Sequence, residues 1–375
     1  MAPFVRKLGK RILIIVNIGA VVLFLLSCIN GYLHPSAWWF LSILGLFFPF
    51  LSVIVFLFML LWVLLRSKWA LLPLTALILG FSNILVVFGF HFNDRFHEEK
   101  GEGDIRILSW NVEWFGAHEK NNKENRQKML DYIRQQNADI LCFQEFLEPG
   151  RNKGLSNERA IKDLNYPYSY RVIDYGRKNG PYEVGVAIFS RFPITDTMRM
   201  RYPGPDSKRA SESLIATDID VNGRKIRIFT THLQSVLFQS NDYRNLEIIK
   251  SVDDSLIEAS KSIIRKLKQG YTLRGYQADL VREHLDASPY PEIVCGDFND
   301  VPNSYTYFRI KGDRKDAFIR SSSGLGRTFA RLSPTLRIDY IIADKAFEIV
   351  QCKRVRLPYS DHYPIVADVR LPAED

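Results

Sequence analysis

Residues 292–299 read EIVCGDFN. Ile293, Val294 and Cys295 form a short apolar run with β-branched members, the pattern of a buried strand. Gly296, Asp297 and Asn299 end it abruptly, and taken alone Gly296-Asp297 reads as a turn. The same ending recurs along the chain. Asn111 closes a run from Ile105. Gln144 and Glu145 close one from Asp139. His232 closes one from Lys225. Asp339 stands inside the apolar stretch Arg337–Ile342, and Ser360-Asp361-His362 precedes the run Ile365–Val369. Apolar strands deliver their ends to one edge of a sheet, where loops carry function on a rigid frame.

Further strand-like runs are Tyr168–Ile173, Val184–Phe189 and Leu214–Asp220. Helical spacing appears between them. Glu124–Gln136 places Met129, Leu130 and Ile133 on one face. Asn245–Lys268 does the same with Ile248, Ile249, Val252, Leu256, Ile263, Ile264 and Leu267, and a second helix is expected over Leu273–Leu285, with Gly270 as the stop between them. Strands interspersed with helices predict a layered α/β fold. Cys142, Cys295 and Cys352 lie in or near these runs, lack CxxC spacing, and read as small buried side chains.

The first 91 residues are different. Up to His91 there is no Asp or Glu, and the only basic residues are Arg6, Lys7, Lys10, Arg11, Arg66 and Lys68. Three stretches, about 12–32, 37–65 and 69–90, are long and apolar enough to cross a bilayer. The expected organisation is a transmembrane anchor over 1–91, a polar linker over 92–104 and a second domain over 105–375. Basic residues at the N-terminus and in the second loop put both in the cytoplasm, so three spans leave the C-terminal domain on the extracytoplasmic side of a membrane, the bacterial inner membrane by this reading. Leu25-Leu26-Ser27-Cys28 also looks like a lipoprotein cleavage box. Cleavage there would leave two spans and the same final side. The lipid bilayer is thus an expected partner.

The net charge of +9 invites a nucleic-acid reading, but six of those charges fall in the anchor region. The remaining 284 residues carry 44 basic and 41 acidic side chains. Charge balance therefore says little about DNA or RNA. The absence of ionisable residues inside the spans excludes a transporter or channel.

An unpaired carboxylate in an apolar strand is costly, so Asp339 needs a partner, and a histidine is the natural one. Converging Asn, Glu, Asp and His side chains would form an oxygen-rich site for a hard cation. Cleaving a phosphodiester requires such a cation, a base for water and donors for developing charge.

From Ile105 to Leu371 the chain resembles the endonuclease/exonuclease/phosphatase superfamily, with its DNase I-like fold. The matching pieces are Asn111 in SWNVEWF, Glu145 in FQEF, VGVAIFSRFPI over Val184–Ile194, His232 in TTHL, GDFN over Gly296–Asn299, Asp339 in RIDYI and SDH over Ser360–His362. The resemblance implies a two-sheet, four-layer α/β sandwich and dependence on Mg²⁺ or Mn²⁺. By the same resemblance Glu145 is the principal metal ligand, helped by Asn111 and Asp361. His362, oriented by Asp339, is the general base. Asp297 and Asn299 position the nucleophile and bind phosphate oxygen, and His232 donates to a phosphate oxygen or the leaving group. Some relatives pair that histidine with a glutamate, and Glu183 is the nearest candidate.

Two features depart from the compact pattern. Sixty-four residues separate His232 from Asp297. They carry Lys261, Arg265, Lys266, Lys268 and Arg274, which form either a solvated helix face or a substrate-gating or membrane-surface element. The loop SSSGLGR over Ser321–Arg327 is either flexible or a phosphate cradle, which makes Arg327 a candidate substrate contact. The expected activity is metal-dependent phosphoester hydrolysis, on nucleic acid, a phospholipid head group, or an inositol or sugar phosphate. The alternative is a catalytically silent, membrane-tethered binding module with the same fold. No protein partner can be inferred.

Overall fold

Alternation along the strands builds two sheets that share a core. In the first, the strands run in the order Glu348–Arg354, Ile365–Arg370, Ile105–Asn111, Ile140–Pro149, Tyr182–Ser190 and Tyr168–Arg171, with Tyr175–Gly176 also pairing with Tyr182–Ser190. In the second the order is Lys315–Asp316, Asp339–Ala343, Glu292–Asp297, Arg224–His232, Ser213–Val221 and Ile194–Arg201. Successive side chains of a strand point to opposite faces. Ile107, Ile140, Cys142 and Ile188 of the first sheet accordingly join Ile215, Ile228, Ile293 and Cys295 of the second in one buried cluster. Their neighbours Leu108, Leu141, Phe143 and Phe189 face the other way and pack with Met129, Leu130 and Ile133 of the helix Asn122–Gln136. The result is the two-sheet α/β sandwich expected from the sequence, in a computed structural model that describes residues 2–92, 95–117, 122–150, 155–176, 180–203, 212–236 and 256–371.

Two strands escape a reading of apolar runs, Ile194–Arg201 and Glu348–Arg354. Both close the edge of a sheet, where charged side chains reach water and guard the open ladder. A buried ion pair ties the first sheet together at its centre. Arg106 donates to both carboxylate oxygens of Asp368, at 2.7 and 2.8 Å, and to the backbone oxygens of His97, Glu98 and Gln136.

Gly270 does not stop a helix. One helix runs over Leu256–Asp286, straight through it. A glycine inside a helix costs only about 1 kcal/mol, and the buried Ile263, Tyr271, Ala278, Val281 and Leu285 continue past it. The expected helical residues 245–255 lie outside the described residues.

The second compact unit comprises Met1–Phe88, Leu237–Gly275 and Val301–Phe308. Two of its helices, Lys7–Tyr32 and Pro35–Leu64, are long and apolar enough to cross a membrane. The third apolar stretch is not straight. The helices Leu71–Leu79 and Phe81–Val87 meet at a 60° bend at Gly80. A Cβ at Gly80 would lie 2.5 Å from the Phe24 ring and 2.9 Å from Cys28 Sγ, so a side chain there would push these groups aside. Cys28 itself is buried within the helix Ala2–Ile29. Lys268 places its ammonium 5.5 Å from the Trp39 ring.

Candidate active site

Register brings the key side chains together before any loop does. In the second sheet Asp297 pairs with His232 on one neighbouring strand and with Asp339 on the other. Like charges directly opposite destabilise a sheet, and His362 offsets the Asp297–Asp339 repulsion. Its Nδ1 is 3.0 Å from Asp339 Oδ2, and its Nε2 is 3.5 Å from Asp297 Oδ2. His232 Nε2 lies 3.6 Å from the same Asp297 oxygen and 3.9 Å from Glu145 Oε1. Asn111 donates to Glu145 at 3.3 Å and to Asp297 at 3.2 Å. All of these side chains except Glu145 are buried.

The two sheets are stitched at this end. Gln144 Nε2 donates to Thr230 Oγ1 at 2.9 Å. The SDH turn is pinned to the first sheet: Ser360 donates to Asn111 O at 2.8 Å, and Trp110 Nε1 donates to His362 O at 2.9 Å. Ser360 Oγ also accepts from His362 N. The serine of the motif therefore sets where the histidine stands.

Backbone strain concentrates here. Glu113, Trp114 and Phe115 have φ of 42°, 57° and 54°, Glu145 has 51° and Asn299 has 51°. Each such non-glycine position costs of order 1–3 kcal/mol and persists only where the surroundings enforce it. Glu145 lies at a break in strand register between Phe143 and Phe146, a bulge that re-aims its side chain. Asn299 is held by its Nδ2 donating to Leu233 O and by its N–H donating to Asp297 Oδ1.

Burial and mutual charge together set the electrostatics of the cluster. Burial works against protonation of His362, but Asp339 and Asp297 outweigh it and hold the imidazole well above its ordinary range. His232 is raised in the same way, against burial, by Asp297, Glu212 and Glu145. Burial raises the Asp297 carboxyl, with the two histidines pulling the other way.

Ligand atoms of Asp297, Asp339 and His362 all lie within 4.8 Å of one another. Two buried carboxylates facing each other, with Glu145 alongside, are a donor set suited to a hard divalent cation. Asn111 fits less simply. Its Oδ1 accepts from Glu113 N at 3.1 Å, so its nitrogen, not its oxygen, faces the carboxylates. Asp361 Oδ1 is 3.9 Å from His362 Nε2, and its Oδ2 is 3.4 Å from Arg331.

Two candidates sit elsewhere. Glu183 pairs with Arg171 at 3.0 Å. Glu212, buried at φ 46°, is one of three carboxylates whose charge acts on His232, with Asp297 and Glu145. Glu212 also accepts from Tyr175 OH at 2.5 Å. No local pattern could have revealed it, because 212 follows a polar stretch and only the fold turns it inward. Arg327 donates to the backbone oxygens of Phe329 and Ala330. Phe329 bridges to His362, so Arg327 braces the histidine's support. Glu113 was also missed. It accepts from Asp361 N at 2.7 Å, and burial together with Asp361 pushes its carboxyl up to about 7. A charge inside VEWF was the available signal.

Fold and site together are a layered α/β scaffold with a buried cluster of carboxylates and histidines at one end of its two sheets. A model of the endonuclease/exonuclease/phosphatase family matches residues 108–362, and the chain belongs to that family. Residues 10–87 match a domain of unknown function (DUF8431). No curated protein matches the sequence. An endonuclease/exonuclease/phosphatase from Beutenbergia cavernae shares the fold at 20% identity and a TM-score of 0.53, over 72% of each chain. So does the human Nocturnin catalytic domain with bound sulfate, at 19% identity and a TM-score of 0.53, over 75% of this chain and 98% of that one. Members of the family are hydrolases of phosphoester bonds and typically depend on divalent metals.

Proposed function

We propose that this protein is a Mg²⁺- or Mn²⁺-dependent phosphodiesterase held at a membrane by its N-terminal helices. The observation that carries the reading is the His362–Asp339 pair, with the far nitrogen of the imidazole turned to Asp297. Asp339 fixes the proton on Nδ1, which leaves Nε2 to take a proton from the attacking water. Asp297 and Asn299 orient that water. His232, whose pKa the surrounding carboxylates raise against burial, donates to a phosphate oxygen or the departing group. Glu145 and Asp361 would hold the metal, and Asn111 would orient Glu145 and Asp297 through its amide nitrogen. When bound, the cation would supply positive charge to a phosphate oxygen and offset the negative charge of the carboxylates around His362.

The substrate is a phosphoester of nucleic acid, a lipid head group, or an inositol or sugar phosphate. Three spans, with the bent pair of helices counted as one, would place the N-terminus in the cytoplasm and the α/β unit outside. The test is a substrate panel on the full chain in detergent, with and without Mg²⁺ or Mn²⁺. It spans single- and double-stranded DNA, RNA, sphingomyelin, phosphoinositides and bis(p-nitrophenyl) phosphate. Metal-dependent turnover that His362→Ala abolishes is expected. Turnover of none of these would overturn the reading.

A further inference from the structure

The helix Leu256–Asp286 belongs to the helical unit as far as Gly275. In that part, residues 256–275 hold five basic side chains, Lys261, Arg265, Lys266, Lys268 and Arg274, against one acidic residue, Glu258. Their placement on the helix is uneven. Lys261, Ile264, Arg265 and Lys268 are exposed, whereas Ile263, Tyr271 and Arg274 are buried. The exposed four follow the spacing i, i+3, i+4 and i+7, so they share one face. Ile264, in the middle of that face, is 44% exposed. An isoleucine among three cations suits a boundary between apolar and charged surroundings, where long cationic side chains lay their stems on the apolar side.

The same stretch of helix lies beside the start of an apolar one. Lys268 holds its ammonium 5.5 Å from the Trp39 ring. A Cβ on Gly275 would come 2.9 Å from Pro35 Cδ and 3.1 Å from His34 Nε2, so the helix passes close against the residues that open Pro35–Leu64. Tyr32, Trp38 and Phe40 are exposed around that opening. Arg66 and Lys68 follow the other end of Pro35–Leu64. Aromatic rings gather at the level of the headgroups, so Tyr32 to Phe40 mark one interface of a bilayer, and Arg66 and Lys68 mark the other. Lys268 is tied to the aromatic one.

We propose that the face formed by Lys261, Ile264, Arg265 and Lys268 lies on the membrane and binds the headgroups of anionic phospholipids. Ile264 enters the acyl boundary, and the three cations meet the net negative charge of the headgroups. This inference rests on the reading of Lys7–Tyr32 and Pro35–Leu64 as membrane spans.

The test places the full chain in nanodiscs of phosphatidylcholine, or of an equal mixture of phosphatidylcholine and phosphatidylglycerol. Ile264→Cys carries a fluorescent thiol label, since Cys28, Cys142, Cys295 and Cys352 are all buried. Nitroxide-bearing lipids in the discs should quench the label, and more strongly in the mixed discs. In detergent, the full chain titrated with both lipids should retain phosphatidylglycerol over phosphatidylcholine by roughly ten-fold or more, since each cation near an anionic surface contributes about five-fold. The triple variant Lys261→Gln, Arg265→Gln, Lys268→Gln should bring that ratio close to one. A label quenched no more in mixed discs than in phosphatidylcholine alone, or a triple variant that keeps the preference, overturns the inference while leaving the anchor reading intact. If the triple variant does not fold, the quenching decides. A full chain released from membranes by a carbonate wash overturns the anchor reading, and the inference with it.

Discussion

Asp339 Oδ2 stands 3.0 Å from His362 Nδ1, although the two residues are 23 positions apart in the chain. Removing the imidazole should therefore cost more than loosening it. His362→Ala is expected to lower kcat for a phosphodiester by about 10²–10⁴-fold. Asp339→Asn, which frees the ring and unsettles its tautomer, should fall short of that by a measurable margin. Steady-state kinetics on bis(p-nitrophenyl) phosphate check both. Wild-type turnover in His362→Ala would remove the histidine from the mechanism.

Glu145 is turned to the site by a bulge and lies 3.3 Å from Asn111 Nδ2. Glu145→Gln keeps the shape and removes the charge. The Mg²⁺ concentration for half-maximal rate should rise roughly ten-fold or more, the scale on which groups supporting a metal act. Excess EDTA should silence the wild type, and Mn²⁺ or Mg²⁺ should restore it. Activity indifferent to EDTA would rule out the metal.

The raised pKa of His362 has a consequence for stability without metal. Burial opposes its protonation, but Asp339 and Asp297 carry it well above the ordinary 6.5. The folded value exceeds the unfolded one, so the stabilisation is complete below pH about 6.5 and fades as pH rises through the folded value. In EDTA, melting temperature should decline from pH 6.5 upward, and Asp339→Asn should flatten that decline. Equal slopes in the two proteins would contradict the assignment.

Arg106 and Asp368 are both fully buried. Arg106→Leu strands a carboxylate and should destabilise the α/β unit by about 3–5 kcal/mol. The double variant with Asp368→Leu should recover part of that. Denaturant melts of the full chain followed by tryptophan fluorescence make the comparison, and a double variant no better than the single would show that the pair contributes little by its charge.

Topology turns on the bend at Gly80. If the bent pair crosses as one span, a reporter fused after Phe92 is active only outside the cytoplasm. A cytoplasmic signal would mean that the pair enters and returns, which leaves two spans and puts the α/β unit on the N-terminal side.

Much of this protein was legible in its sequence because the signals are local. Apolar runs mark strands, as at Ile293–Cys295, and a polar residue set abruptly after one marks a sheet edge, as at Asp297 and His232. Composition alone separates the first 91 residues from the rest. What the tertiary structure decided depends on groups far apart in the chain. Register placed Asp297 between His232 and Asp339. The fold brought the charge of Glu212 to bear on His232, and paired Glu183 with Arg171. Arg327 was drawn to its own loop's carbonyls. The recurring strand-end pattern of EIVCGDFN announced a site, but nothing in the sequence singled out Asn303. Only the packing of Asn30 and Asn83 around it shows that its backbone oxygen and its amide side chain are bonded in the interior of the helical unit, because a buried amide takes its meaning from the partners the fold supplies.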